Sequence, residues 1–154
     1  MNQPADGSTR FSPSLKMVKR PNRIEIPSTL DFLPGVDEFI EKTLKKLKMK
    51  KDQIADVAIS VSEAVTNAVV HGNKNDITKK VKVSVKTNPA GVEITVEDEG
   101  RGFDPSSIAS CLEDENLLKH AGRGILILNS LMDKVEIICG PDHGTKVKMI
   151  KYIK

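Results

Sequence analysis

Tryptophan is absent, tyrosine occurs once and phenylalanine four times, so aromatic residues are 3% of this 154-residue chain. The core must be built from Val, Ile, Leu and Met, and a single-strand nucleic-acid surface, which stacks bases on rings, is disfavoured. The two cysteines, Cys111 and Cys139, are too few and too far apart for a zinc site. A chain of this length needs no covalent staples, so they read as reduced cytosolic thiols. No apolar run approaches the roughly 18 residues of a membrane span. The opening MNQPADGSTRFSPS has no apolar signal core either. The expectation is a soluble, cytoplasmic protein with no membrane attachment.

A charge excess of one sign is missing from most of the chain. The net charge is +3, and residues 1 to 22 carry Arg10, Lys16, Lys19 and Arg20 against Asp6 alone, so the remainder balances. Phosphate binding needs a clustered basic face, and direct nucleic-acid binding is therefore not expected. Residues 1 to 22 also combine Pro4, Gly7, Pro13 and Pro21 with few apolar positions and read as a flexible leader. One domain is expected over 23 to 154.

Within that domain, Arg23 to Ile26 alternates as a short strand before Pro27, and Ser28 or Thr29 opens the approach to a helix. Val36, Phe39, Ile40, Thr43, Leu44 and Leu47 recur at helical spacing. A second helix starts near Asp52, a candidate N-cap, repeats Ile54, Val57, Ala58, Val61, Ala64, Val65, Ala68 and Val69, and stops at Gly72. Val81, Val83 and Val85, then Val92, Ile94 and Val96, alternate with polar residues around Asn88-Pro89-Ala90-Gly91, the pattern of an antiparallel hairpin with one wet face. From Gly102 to about Ala121 the periodicity dissolves into a loop of roughly 20 residues, a length compact domains reserve for functional segments. A helix then begins at Gly124 with Ile125, Leu128, Leu131 and Met132, followed by strands from Val135 to Cys139 and from Thr145 to Ile153. Segregated hairpins and helices predict an α+β, two-layer α/β sandwich with a mixed, mainly antiparallel sheet covered on one face by about three helices.

Three polar side chains interrupt the second helix in SEAVTNAVVHG. Glu63, Asn67 and His71 are four residues apart, so on an α-helix they form one stripe bordering the apolar face. Alone, such a stripe is equally a solvated helix edge. Asp98 continues the inward parity of Val92, Ile94 and Val96, where a carboxylate is costly without a partner. It is either a turn residue after the strand or a buried acceptor for a ligand's amino group. Asp98-Glu99-Gly100-Arg101-Gly102-Phe103 and Gly122-Arg123-Gly124 place paired glycines on both sides of the long loop, the second pair at a helix start, where backbone N–H groups suit phosphates. Neither pair belongs to a Walker A motif or a G-x-G-x-x-G dinucleotide fingerprint, and the H-R-D and D-F-G elements of protein kinases are missing. Ser106, Ser107, Ser110 and Ser130 lie in no nucleophile-elbow setting.

The succession E-x-x-x-N, D-x-G-x-G-F, a long loop, G-x-G opening a helix, and G-T before a terminal strand resembles the Bergerat-type ATP-binding fold of the GHKL superfamily. SEAVTNAVVHG with DEGRGF in so short a chain resembles the anti-sigma factor serine/threonine kinases, over about residues 23 to 154. That resemblance implies ATP and Mg²⁺ as cofactors, Glu63 as the catalytic carboxylate and Asn67 as the metal ligand. It implies that Asp98 reads adenine with Thr145 completing the network, that Gly100 and Gly102 let the purine lie flat, and that Gly122, Arg123 and Gly124 meet the phosphates. Lys119, His120 or Arg123 would bring positive charge to the γ-phosphate. The implied partners are a sigma factor, which is sequestered, and a STAS-type antagonist protein, which is phosphorylated, with the chain itself a homodimer. A non-catalytic nucleotide-binding module acting by protein contact is the alternative. The catalytic half of a histidine kinase would need a phosphoacceptor histidine ahead of it, and residues 1 to 22 contain none.

Overall fold

The computed structural model describes residues 16–100, 124–139 and 144–153. Six strands form one sheet in the order β1-β2-β3-β4-β6-β5, from β1 (Val18–Arg20), β2 (Arg23–Pro27), β3 (Lys80–Asn88), β4 (Gly91–Glu97), β5 (Lys134–Cys139) and β6 (Thr145–Tyr152). Helices α1 (Leu33–Lys45) and α2 (Lys51–Asn67) and a third, α3, over 124–131 complete the α+β architecture.

Every described strand pairing is antiparallel, where a mixed, mainly antiparallel sheet was expected. The path from β4 through α3 to β5 does deliver two strands of the same direction. The β5–β6 hairpin, however, folds β6 back between them, so the two parallel strands never touch. β1 also departs from the expectation, because its residues lie within the stretch read as leader. Exposed and short, it pairs with β2 in register Val18↔Glu25, and the Met17 side chain reaches Gly35 at the start of α1.

Strand alternation divides the two faces. Ile24, Val83, Val96 and Val147 align across four strands on one side. Glu25, Lys82, Glu97 and Lys146 align on the other, a ladder of alternating charge suited to water. The apolar side receives Val36, Phe39, Ile40 and Leu44 from α1, Val57, Val61, Ala64 and Val65 from α2, and Leu128 and Met132 at the end of α3, all buried in one core. α2 begins two residues earlier than the Asp52 cap predicted, with Lys50 at the N-cap. Gln53 accepts from Lys50 N at 3.2 Å and donates to Tyr152 O at 3.2 Å, so one buried amide both caps the helix and ties it to the end of β6. The Asn88 side chain closes the β3–β4 hairpin by accepting from Ala90 N and Gly91 N at 2.8 and 3.0 Å. Cys139 ends β5, and Cys111 lies outside the described residues.

Candidate active site

α2 does not simply stop at Gly72. After Asn67 the winding widens into a π-helical turn, Ala68–Gly72, closed by Asn73 N donating to Ala68 O at 2.8 Å. Such turns are uncommon and concentrate at functional sites. His71 falls inside that widened turn, so the α-helical spacing that groups Glu63 with Asn67 does not by itself place it. Gly72 is delivered against the carboxylate that ends β4.

Asp98 is 5% exposed, and its Oδ1 accepts from Gly100 N at 2.9 Å and Thr145 N at 3.0 Å. It is thus a buried carboxylate held by two main-chain N–H groups rather than a solvated one. Three glycines are packed around it. A Cβ at Gly72 would overlap Asp98 Oδ2, one at Gly144 would overlap Oδ1, and one at Gly100 would lie 2.5 Å from Gly72 O and 2.9 Å from Asp98 Oδ1. Side chains at these positions would fill the space beside the carboxylate. Thr145 meets Asp98 through its main chain, and its Oγ1 stands 4.0 Å from Cys139 Sγ.

Glu63 and Asn67 converge on a different glycine. A Cβ at Gly124, the first described residue of α3, would be 2.6 Å from Asn67 Nδ2 and 2.9 Å from Glu63 Oε2. The acid and the amide of α2 therefore both border the space that a side chain at Gly124 of α3 would take. Beside Glu63, a groove of about 380 Å³ runs between α1 and α2, lined by Asp37, Glu41, Ile59, Ser62 and Thr66 among others. Burial first, and Glu41 second, hold the Asp37 carboxyl above the usual aspartate range. Ile59, 51% exposed, presents an apolar surface one turn before Glu63.

Gly102, Lys119, His120, Gly122 and Arg123 lie outside the described residues. Sequence reasoning read Gly72 only as a helix stop and gave Gly144 no role of its own beyond the G-T pair, although both pack against Asp98. The G-T pair before β6 was the one available signal for Gly144.

The family described as "Histidine kinase-like ATPase domain" matches residues 26–151. The anti-sigma F factor of Oceanobacillus iheyensis is 33% identical over 112 residues, covering 71% of this chain and 77% of that one. The serine-protein kinase RsbW of Staphylococcus epidermidis is 30% identical over 138 residues, covering 85% and 86%. This chain belongs to the anti-sigma factor serine/threonine kinase family, within the histidine kinase-like ATPases. The kinase shares its fold with the solved RsbU and RsbW domains of Rv1364c from Mycobacterium tuberculosis, at TM-score 0.60 and 19% identity over 85% of this chain and 32% of that longer one. A histidine kinase domain from Erythrobacter litoralis superposes at TM-score 0.53, with 19% identity over 83% of this chain and 62% of that one. As a member of this ATP-using family, the kinase is a protein serine/threonine kinase. No described helix is long and apolar enough to cross a membrane.

Proposed function

We infer that this kinase binds Mg-ATP between α2, α3 and the end of β4, phosphorylates a Ser or Thr of a STAS-type anti-sigma factor antagonist, and otherwise holds a sigma factor, acting in the cytoplasm as a homodimer. The observation that carries the reading is the convergence of Glu63 and Asn67 on Gly124. It joins a proton acceptor, an oxygen ligand and a close-approach glycine in one wall.

The residues fit the implied groups. The Asn67 carbonyl would hold Mg²⁺, a hard cation that takes few protein oxygens and leaves its other positions to phosphate and water. When bound, the metal neutralises phosphate charge during transfer. Asp98, held on one side by two main-chain N–H groups and cleared of side chains by glycines, accepts from the adenine amino group. Glu63 accepts the proton of the substrate hydroxyl as that oxygen bonds to the γ-phosphorus, and ADP leaves with the bridging oxygen. The groove beside Glu63, with its exposed Ile59, provides the open side from which a protein hydroxyl arrives.

Incubating the purified chain with labelled Mg-ATP and STAS-domain proteins tests the reading. Label on a serine or threonine of one of them is the expected result. A nucleotide-dependent complex with no transferred label would replace the kinase by the non-catalytic module.

A further inference from the structure

We propose that Asn73 is a positioning residue for nucleotide recognition: it aims the Asp98 carboxylate by holding the peptide that follows it. The proposal rests on the reading of Asp98 as the adenine acceptor.

Asn73 is 2% exposed, directly after the π-helical turn. Its Nδ2 donates to Ser28 Oγ at 2.7 Å and to Lys80 O at 3.0 Å. Its Oδ1 accepts from Glu99 N at 2.8 Å. Both amide hydrogens and the carbonyl are thereby used. The partners come from three separate places: the end of β2, the start of β3 and the residue after Asp98. Ser28 Oγ passes its own proton to Lys79 O at 2.6 Å, which leaves the hydroxyl oxygen as an acceptor for Asn73. Lys80 N is in turn taken by Glu99 Oε2 at 3.0 Å.

This network defines the Asp98–Glu99 peptide from behind the pocket. The Glu99 N–H is fixed to Asn73, so the plane of that peptide, and with it the Asp98 carbonyl, has one orientation. From the pocket side, the Asp98 carboxylate is fixed to Gly100 N and Thr145 N. Asp98 is thus clamped between a helix end and β6, and the helix-end half of the clamp is Asn73. A buried amide serving only to close the chain would need no bond to the residue beside the acceptor. The backbone around Asn73 is also committed: Lys74 and Asn75 take positive φ values of 53° and 59°, and Asn75 N donates to Val69 O at 2.8 Å.

The test compares binding of ATP with binding of purine riboside triphosphate, which lacks the 6-amino group, for the wild-type chain, Asn73→Ala, Ser28→Ala and Asp98→Asn. Melting curves establish that each variant is folded. If Asn73 aims Asp98, Asn73→Ala lowers the preference for ATP over the analogue about fivefold to tenfold, the worth of one well-placed hydrogen bond. Ser28→Ala, a gentler change, lowers it in the same direction, and adding Asn73→Ala to Asp98→Asn costs no further discrimination. A folded Asn73→Ala or Ser28→Ala variant with wild-type discrimination, alongside an Asp98→Asn variant that has lost it, overturns the positioning role alone. Unchanged discrimination in Asp98→Asn overturns the adenine reading and this proposal with it.

Discussion

Asp98 and Thr145 hold each other through two hydrogen bonds, Asp98 N to Thr145 O at 3.1 Å and Thr145 N to Asp98 Oδ1 at 3.0 Å. The first extends the β4–β6 ladder by one residue; the second makes the strand itself the support of the carboxylate. Asp98→Asn can keep the carbonyl side of this arrangement while losing the negative charge. The variant is expected to fold normally and to bind ATP about 10- to 100-fold more weakly, the range for a hydrogen bond to a charged group. Titration calorimetry with ATP checks it.

Glu63 borders Gly124, whereas Asp98 borders Gly72, Gly100 and Gly144, so the two carboxylates separate into two assays. Glu63→Gln preserves size and hydrogen bonding but accepts a proton poorly. ATP affinity should stay near the wild-type value while the single-turnover transfer rate falls by a factor of about 10² to 10⁴. Normal transfer by this variant would remove Glu63 from the chemistry.

For Asn67 the separating variable is the metal. Chelation of Mg²⁺ is expected to weaken ATP binding by the wild-type chain. In Asn67→Ala the gain on restoring Mg²⁺ should shrink about tenfold, because the one protein oxygen ligand proposed here is gone. A Mg²⁺ titration at fixed ATP reads the difference, and an unaltered Mg²⁺ increment would move the metal to another ligand.

Much of this was legible in the residues before any coordinates. The helical period of α1 and α2 and the strict alternation of β3 and β4 follow from burial on one face, and burial is what a local pattern records. Glu63 and Asn67 could be placed together because four-residue spacing is a property of the α-helix. His71 could not, since a π-helical turn depends on how Gly72 and Asn73 meet β2 and the end of β4. Asn73 carries no local signal at all: its three partners are 45, 7 and 26 residues away in the chain. The mainly antiparallel character of the sheet was legible, but its strand order was not, because nothing local reveals that β6 inserts between β4 and β5.

Asp37 offers a pH signature of the α1–α2 groove. Burial, then the neighbouring Glu41, raise its carboxyl above the ordinary value. A raised carboxyl means that the folded state holds the proton more tightly than the unfolded state. The stability this confers is complete below the unfolded value, about 4, and is lost as pH rises through the higher folded value. At neutral pH, Asp37→Asn should therefore raise stability by about 0.5 kcal/mol, the scale of a relieved i,i+4 repulsion. The gain should vanish on acidification below about pH 4. Thermal melts of both proteins across that range provide the check, and a gain that persisted in acid would assign it to something other than the charge.

Gly124 tests whether the wall formed by α2 and α3 must be close-packed. A methyl there would sit 2.6 Å from Asn67 Nδ2, 2.9 Å from Glu63 Oε2 and 3.2 Å from Glu63 Cγ, closer than non-bonded atoms rest. All three atoms belong to side chains, so they can yield without rebuilding the backbone. Gly124→Ala is accordingly expected to cost about 1 to 3 kcal/mol of stability as overpacking, with a larger proportional loss in phosphotransfer, because the atoms displaced are the ones proposed to carry the chemistry. The same substitution at Gly144 presses on Asp98 O, where a Cβ would lie at 2.7 Å, and backbone does not yield. Gly144→Ala should therefore reduce ATP affinity directly. Measuring ATP affinity and transfer rate for the two variants separates them: turnover falls first at Gly124 and binding first at Gly144. The reverse order would mean that Glu63 serves binding, with catalysis residing elsewhere.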